Sequence, residues 1–569
     1  MKSICRLVPD QSWRRVALAL LLVAAALAGA SRPTLAASSK KAKPAAKTVE
    51  APPKTVPADP KEPGPQPPDG KWLVDKQGRQ YFVNKLPKAG MHVLRETAGK
   101  VRTPWGIDID LVKEDDQFFY YKLYRALGTG PSGAPVVPSA EDLKKIAESY
   151  RVEVPESQRL KLVPFSNGLP TSGQWRDGFD IADMNGDGHL DIVHSPARKT
   201  LTPPVIFLGD GKGGWRRWSE AKYPRLNWDY GDAVVGDFNG DGHPDIALGV
   251  HLRGLMALQN DGKGGFTDIG KGLDFHLPGN GRQEGFSSRT LAVADWNGDG
   301  RPDIIASGEG PRLNLMGRDQ ARPTQNTEAY GIVVYLNQGD GTWLRKDQGT
   351  SSREIFSDTI VVGDFNGDHR MDFATGTSVQ GRRGLINLNR GDGGWDTVDV
   401  VGLRPNAYIR SVDAVDLNKD GKDDLIVGYL AYEGDAWHSG IDIFYSQKDG
   451  SWQRRGLVAL DKRLEISALG HGDLDGDGKT DLVALTGDGD TWVFLGDGQG
   501  FFTRETATGV PAFPGACAGY HVRLVDLDGD GKDEIVADFA GEASPMYEPD
   551  RCASGGGIQA WHVAPAGGR

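Results

Sequence analysis

The chain has little of what defines several common classes of protein. Its 3 Cys among 569 residues are too few for a disulfide-dense scaffold, and no Cys/His cluster has zinc-site spacing. The motifs Gly-x-Ser-x-Gly and His-Glu-x-x-His are absent, so the enzymes they define are not indicated. The formal net charge of -11 argues against a nucleic-acid partner. In contrast, 77 Gly and 34 Pro favour a turn-rich globular body over a polytopic membrane protein or a long coiled coil.

The amino terminus has the pattern of an export signal. Arg14 and Arg15 precede an apolar run from Val16 to Leu27, and small residues follow at 28–30. We therefore predict a cleaved signal peptide over residues 1–30, which would also remove Cys5, and an exported mature chain without a stable membrane span. A retained membrane anchor is the alternative, although the run is shorter than the roughly 20 residues needed to cross a bilayer.

Two further segments precede the main body of the chain. Residues 31–70 are rich in Ala, Lys and Pro, so we predict a disordered linker. Residues 71–157 are predicted to form a small α+β accessory domain, with strands over Gln80 to Leu86 and Phe118 to Tyr124 and a helix capped at Ser139. The sequence of this segment does not indicate its function.

One nonapeptide organises the rest of the chain. It occurs seven times, at 183–191, 237–245, 295–303, 364–372, 416–424, 473–481 and 526–534. A short apolar strand flanks each copy on both sides, a third strand runs into a Gly-rich hairpin, and a fourth opens with an aromatic residue such as Trp215 or Phe501. Four strands repeated seven times predict an all-β fold, a seven-bladed β-propeller over 158–564 followed by a tail at 565–569.

The ends of the propeller sequence suggest how the ring closes. The seventh repeat ends after its third strand, Ile558 to Val563, whereas Leu160 to Val163 forms a spare strand before the first nonapeptide. Pairing these two segments would complete the seventh blade and leave no open sheet edge.

The nonapeptide has the donor pattern of a calcium loop. Oxygen side chains occupy positions 1, 3, 5 and 9, Gly at position 6 permits a tight turn, and position 7 would supply its backbone carbonyl, since its side chains are His, Arg or Lys. We predict up to seven Ca²⁺ sites, with a metal-free turn motif as the alternative. An EF-hand is excluded because position 12 is never Glu. The predicted ligands are Asp183, Asn185, Asp187, His189, Asp191; Asp237, Asn239, Asp241, His243, Asp245; Asp295, Asn297, Asp299, Arg301, Asp303; Asp364, Asn366, Asp368, Arg370, Asp372; Asp416, Asn418, Asp420, Lys422, Asp424; Asp473, Asp475, Asp477, Lys479, Asp481; and Asp526, Asp528, Asp530, Lys532, Glu534.

These loops resemble those of the FG-GAP/VCBS repeat family, the calcium-binding propellers of the integrin α type. The resemblance implies that each loop joins the first and second strands of a blade, and that ligands meet the opposite rim. Two positions depart from the family pattern: His369 replaces Gly at position 6, so we expect the site at Asp364 to Asp372 to be weakest, and Glu534 ends the seventh copy. On the opposite rim we expect two groups of residues. The first group lies six positions before a motif and consists of Asp177, Arg289, Asp358, Arg410 and Tyr520. The second group lies between the second and third strands of a blade and consists of Tyr429, Tyr432, Trp437, His438 and the insertion Glu309 to Tyr330.

Cys517 and Cys552 flank the seventh motif, and export favours a disulfide between them, with free buried thiols as the alternative.

The prediction for function is a non-catalytic binding or adhesion module, monomeric, with a glycan or protein ligand. It would act in the periplasm, at the cell surface or outside the cell. Two alternatives stay open, a polysaccharide lyase on a calcium-binding propeller and an envelope scaffold.

Overall fold

The chain divides into two compact units, residues 1–148 and 149–569. A computed structural model describes strands between residues 73 and 136, and residues 154–566 apart from 177, 197–201, 252, 276–285, 287, 309–330, 349–356, 358, 377–385, 399, 401, 405–406, 434–435, 448, 507, 510–516, 542–551 and 553–554. The predicted signal peptide, the linker and the helix after Ser139 lie outside the described residues. All the described elements are strands, and no described helix has the length and apolarity to cross a membrane.

The first unit contains a six-stranded antiparallel sheet. In spatial order its strands are Leu73–Val74, Gln80–Pro87, Phe118–Tyr124, Asp108–Glu114, Lys100–Arg102 and Leu94–Thr97. A two-stranded ladder, Gly128–Thr129 with Pro135–Val136, is separate from this sheet. Two of these strands, Gln80–Pro87 and Phe118–Tyr124, lie where the sequence predicts them.

The second unit is a seven-bladed β-propeller, which confirms the predicted fold. Each blade is an antiparallel meander of four strands, and each nonapeptide joins the first strand of a blade to the second. In blades 1 to 3 the strands are Phe179–Ala182, Asp191–His194, Val205–Gly209, Trp215–Arg217; Ala233–Gly236, Asp245–Val250, Gly254–Asn260, Phe266–Asp268; and Ser288–Ala294, Asp303–Gly308, Ile332–Asn337, Trp343–Lys346. In blades 4 to 6 they are Ile360–Gly363, Asp372–Thr375, Ile386–Asn389, Trp395–Val398; Ala407–Val415, Asp424–Glu433, Ala436–Ser446, Trp452–Leu460; and Ile466–Gly472, Asp481–Thr486, Thr491–Gly496, Phe502–Glu505. Blade 7 is formed by Gly519–Val525, Glu534–Phe539, Gly557–Pro565 and, from the start of the unit, Leu160–Pro164.

The ring closes as the sequence predicts. Leu160–Pro164 pairs antiparallel with Gly557–Pro565, so the first part of the propeller sequence supplies the outer strand of its last blade. A second link is not anticipated by the sequence: Glu156–Ser157 pairs in parallel with the outer strand of blade 6 and makes that sheet five-stranded. The segment 156–164 therefore joins blades 6 and 7.

The middle strands of each blade form the hydrophobic core. All six residues of Asp245–Val250 are buried, because the sheet is covered on both faces by neighbouring blades. The apolar side chains of adjacent blades pack into shared clusters, as Val193 and Ile206 of blade 1 do with Ile246 and Leu258 of blade 2. The core is thus a series of layers between blades.

In blades 1 to 6 the aromatic residue at the start of the fourth strand packs between blades. Trp215 is buried, and its indole N–H donates to the carbonyl of Phe165 in the preceding blade at 2.8 Å. Blade 6 corrects one assignment. Its hairpin closes with an amide-to-carbonyl bond from Asp497 to Phe501, so Phe501 stands where blade 1 has a Gly and is 54% exposed. Phe502, the next residue, takes the buried position.

Candidate functional site

The nonapeptide loops share one geometry, held by hydrogen bonds from the backbone to carboxylates. In all seven loops, one oxygen of the position-1 Asp accepts the N–H of position 6 at 2.8 to 3.0 Å. The position-5 Asp accepts the N–H of position 7 at 2.9 to 3.1 Å. These bonds fold every loop into a tight turn that brings its acidic groups close together.

The turn requires positive φ at positions 4 and 6, where most loops have Gly. His369 takes φ 65° at position 6 of the fourth loop, and its N–H still bonds Asp364 at 2.8 Å. The fifth loop carries a second exception that the sequence analysis missed, Lys419 at position 4 with φ 59°. Both residues hold a conformation that side chains with a Cβ adopt at an energetic cost.

The position-9 carboxylate is the buried member of each loop. In the third loop Asp303 is 0% exposed, and its two oxygens accept the N–H of Trp296 at 3.0 Å and of Asn337 at 2.7 Å. Burial, and then the charges of the neighbouring Asp side chains, raise the pKa of this group. The pKa is raised to about 7 in Asp191, Asp245, Asp372, Asp424 and Asp481, and to about 6 in Asp303.

This donor set fits a hard divalent cation. Clustered carboxylate and amide oxygens that repel one another are stabilised by a positive ion, and oxygen is the ligand that Ca²⁺ prefers. Within the described residues, three groups place acidic or imidazole ligand atoms within 4.8 Å of one another: Asp473, Asp475 and Asp481; Asp526, Asp528 and Asp530; and Asp528, Glu534 and His562.

His562 is a neighbour of the seventh loop that the sequence analysis missed. Its Nδ1 lies 2.9 Å from an oxygen of Glu534 and 3.6 Å from one of Asp528. The strand registers place His562 at the level of Leu208 in blade 1 and Leu336 in blade 3, where an apolar side chain is present instead. A loop motif alone gives no sign of this contact, because the histidine comes from the third strand.

Side chains at position 7 also contact the loops from outside. The guanidinium groups of Arg301 and Arg370 each donate to the position-5 carboxylate of their own loop, Asp299 and Asp368. In the sixth loop Lys479 Nζ lies 2.5 Å from Asp477. Position 7 therefore supplies local positive charge in these three loops.

Three of the predicted ligand-face residues share a backbone feature at the end of the blades opposite the nonapeptide loops. Arg289, Arg410 and Tyr520 each lie at a β-bulge near the start of the first strand of their blade. Ser467 has the same place in blade 6. A bulge turns a side chain away from the regular alternation of the strand, and bulges often occur beside binding sites. All four residues lie on the first strands of their blades, at the end opposite the nonapeptide loops.

Two of the bulged side chains make defined contacts. Arg410 Nε donates to Glu465 Oε1 at 2.7 Å. The Arg176 guanidinium stacks over the Tyr520 ring at 4.9 Å. The predicted Asp177 and Asp358 and the insertion 309–330 lie outside the described residues.

The remaining ligand-face residues belong to the long second-to-third-strand hairpin of blade 5. Trp437 is half-buried beneath the Arg463 guanidinium, 5.2 Å from its ring, and His438 Nδ1 lies 2.9 Å from Asp461. Tyr429 is different from the prediction: it is 2% exposed because it packs inside the blade beneath Arg404, so it does not face solvent. The Tyr432 side chain lies outside the described residues.

Cys517 and Cys552 form a disulfide in the seventh blade, with Cα atoms 5.1 Å apart. Both residues belong to the apolar cluster between blades 6 and 7. Cys517 lies just before the first strand of blade 7, Gly519–Val525, and Cys552 lies in the connection between the second and third strands. The bond therefore attaches this connection to the start of the blade.

Comparisons with known proteins agree with this architecture. Residues 200–248, 324–375 and 473–537 match the FG-GAP-like repeat, and residues 231–266 match the FG-GAP repeat. The chain therefore contains FG-GAP repeats, and its propeller is consistent with the FG-GAP/integrin-like type. A segment of 121 residues is 33% identical to human integrin alpha-6, and this match spans 18% of the chain and 9% of the integrin.

Among solved structures, the chain matches two crystals of BBS1N in complex with ARL6DN. The crystal soaked with lead has 11% sequence identity and a TM-score of 0.40, covering 72% of this chain and 98% of that one. The crystal soaked with mercury has 12% identity and a TM-score of 0.39, covering 70% and 97%.

Proposed function

We propose that this protein is an exported, calcium-stabilised propeller that acts as a non-catalytic binding module for a glycan or protein partner. The partner would dock on the rim opposite the metal loops. The FG-GAP repeats and the partial likeness to an integrin α chain support a role in binding.

The observation that carries this proposal is the set of bulges at one end of the first strands of the blades. Four blades present Arg289, Arg410, Ser467 and Tyr520 at equivalent positions, although their sequences differ. Bulges interrupt strand pairing, and they are common beside functional sites, where they change the direction of a side chain. The Arg289 guanidinium and the Tyr520 phenol suit hydrogen bonding to a partner that bears carboxylate or sulfate groups. The Arg410 guanidinium already bonds Glu465, and the Ser467 hydroxyl donates to the Leu485 carbonyl at 3.2 Å.

Calcium would act at the other rim. Positions 1, 3, 5 and 9 of each loop would hold the ion through side-chain oxygens, and position 7 through its carbonyl. The ion would supply positive charge among the acidic groups and so stabilise the turn between the first two strands of each blade. A rigid scaffold positions the residues of a binding rim more precisely, and we assign this rigidifying role to the ions.

The test is a panel of acidic and neutral polysaccharides and extracellular matrix proteins, bound to the full chain in Ca²⁺. The double variant Arg289→Ala with Tyr520→Ala should weaken binding at least about tenfold, as expected for two hydrogen-bonding contacts at a binding site. The matched control is Arg216→Ala, on the outer strand of blade 1, where the side chain is 64% exposed. Unchanged binding by the double variant would contradict the proposed rim. Release of unsaturated sugar ends would contradict the non-catalytic role.

A further inference from the structure

Each position-9 carboxylate joins its metal loop to the third strand of the same blade. In blade 3, Asp303 accepts one N–H from Trp296 at position 2 of its loop and one from Asn337 at the end of the third strand. The same pair of bonds occurs in blades 1 to 6, with distances between 2.7 and 3.2 Å. A movement of this carboxylate therefore affects both segments.

The residue at the end of the third strand also reaches the preceding blade. The Asn337 side chain donates to the carbonyl of Phe238, which is position 2 of the second loop, at 2.7 Å. Three other blades make the equivalent bond at 2.8 Å: Asn260 to Met184, Asn389 to Trp296, and Ser446 to Phe365. All four donor residues are at most 2% exposed, so solvent does not compete for these bonds.

Together the two kinds of bond form a continuous path through five loops. The path starts at the position-9 carboxylate of one blade, which bonds the backbone N–H of the residue at the end of the third strand. The side chain of that residue bonds the position-2 carbonyl of the preceding loop. The N–H of the same position-2 residue then bonds the position-9 carboxylate of its own, preceding loop. It ends where the third-strand residue lacks a polar side chain. The strand registers place Gly209, Gly496 and Val563 at this position in blades 1, 6 and 7.

A second device joins loops 6 and 7. Asp533, at position 8 of the seventh loop, accepts the N–H of Asp473 at 2.7 Å and donates its own N–H to the Asp473 carbonyl at 2.9 Å. Asp423 makes the same two bonds to Asp364 and so reinforces the link between loops 4 and 5. Across the described residues, neither device connects loop 5 to loop 6 or loop 7 to loop 1. Loops 5 and 6 do share one exposed bond, from Lys419 Nζ to the Gly478 carbonyl at 3.4 Å, but this bond involves neither a position-9 carboxylate nor a position-2 residue.

We propose that Asn260, Asn337, Asn389 and Ser446 are positioning residues that couple cation binding among loops 1 to 5, and that Asp533 separately couples loops 6 and 7. This inference rests on the proposed calcium function. An ion in one loop fixes its position-9 carboxylate and thereby the position-2 backbone of the neighbouring loop, so the neighbour loses less freedom when it binds its own ion. The molecule then has two cooperative groups of sites.

The test uses the full chain and hydrogen exchange of each loop as a function of Ca²⁺ concentration. Asp299→Ala removes a position-5 ligand from loop 3, and Asp477→Ala is its matched control in loop 6. Asp299→Ala should weaken calcium protection of loops 2 and 4 by about fivefold, the scale of a modest coupling free energy, and leave loops 6 and 7 unchanged. Asp477→Ala should affect loop 7 and leave loops 1 to 5 unchanged.

Substitutions of Asn337 test the path itself. Asn337→Ala should make loop 2 insensitive to Asp299→Ala, whereas Asn337→Ser should retain part of the coupling, because Ser446 makes the equivalent bond in blade 5. Asn387→Ala is a control for the loss of a buried amide, since the Asn387 side chain bonds Thr397 within blade 4.

The outcomes separate the two proposals. Calcium-dependent protection with independent midpoints, or equal shifts in all loops after Asp299→Ala, would overturn the coupling and leave the calcium function standing. A wild-type chain whose loops show no calcium-dependent protection would overturn both.

Discussion

Glu505 is predicted to be one of the most sensitive single residues for closure of the propeller. It lies on the outer strand of blade 6 and is 3% exposed. Its carboxylate accepts the N–H groups of Arg159 at 2.7 Å and Leu160 at 3.0 Å, and the hydroxyl of Ser157. These donors belong to the segment that crosses from blade 6 to become the outer strand of blade 7.

The size of the effect follows from the groups left without partners. Glu505→Ala removes the acceptor of two amides, and an unpaired buried amide costs about 1 to 3 kcal/mol. The ion pair with Arg159 adds little, because its atoms are 3.7 Å apart and the arginine is 60% exposed. We expect the free energy of unfolding to fall by about 2 to 5 kcal/mol, with part of the loss relieved where water reaches the segment.

The measurement is urea unfolding of the calcium-loaded chain, followed by tryptophan fluorescence, with hydrogen exchange at Leu160–Pro164. Glu220→Ala is the matched control, because Glu220 has a surface ion pair to Arg216 and is 66% exposed. The control should stay within about 0.5 kcal/mol of wild type, as surface substitutions usually do. A Glu505→Ala variant no less stable than Glu220→Ala, with unchanged exchange at Leu160–Pro164, would refute the role of this carboxylate in closure.

Three further predictions concern the loops and the disulfide. The melting temperature of the calcium-free chain, in buffer depleted of Ca²⁺, should fall as pH rises from 5 to 8. The position-9 aspartates have a pKa of about 6 to 7 in the folded chain, well above the unfolded value, so the folded state binds more protons between pH 4 and 7. Saturating Ca²⁺ should remove this trend, and a flat or rising curve for the calcium-free chain would contradict it. His369→Gly and Lys419→Gly should each stabilise the chain by about 1 kcal/mol in thermal melts, because glycine adopts their positive φ without strain, and destabilisation by both would contradict the strain. Replacing Cys517 and Cys552 together with Ala should lower stability by about 2 to 4 kcal/mol, because a 35-residue loop is no longer closed in the unfolded chain, and reducing agent should leave the double variant unaffected.

The sequence predicts the propeller because its strongest signals are local and repeated. Each nonapeptide encodes its own turn through Asp at position 1 and Gly at positions 4 and 6, with Lys419 and His369 as the two exceptions. The flanking apolar runs identify the first two strands. Ring closure follows from a count of strands, since blade 7 lacks a fourth and Leu160 to Val163 is spare. A pattern that every blade repeats leaves few alternative arrangements.

The features that the sequence does not predict depend on neighbours in space. Phe502 rather than Phe501 is buried because the preceding hairpin replaces a Gly with Phe. Tyr429 is buried because the strands of blade 5 are long and Arg404 covers it. The contacts of His562 with Glu534 and of Asn337 with Phe238 join segments whose positions in the chain give no sign of proximity. The bulges at Arg289, Arg410 and Tyr520 are likewise defined by strand register, which their distance of six residues before each motif does not reveal.

The pairing of the first propeller strand with the last has a consequence for biogenesis. Ser166 and Ala560, which share a hydrogen bond at the seam, are 394 residues apart in the chain. Blades 1 to 5 contain only neighbouring segments and can form as the polypeptide emerges from the ribosome or a translocase, but the sheet of blade 7 must wait for Gly557–Pro565. Until then two unsatisfied strand edges are open to wrong pairing, as in other proteins rich in non-local contacts, so a chain that stalls before Gly557 is a natural target for chaperones and proteases.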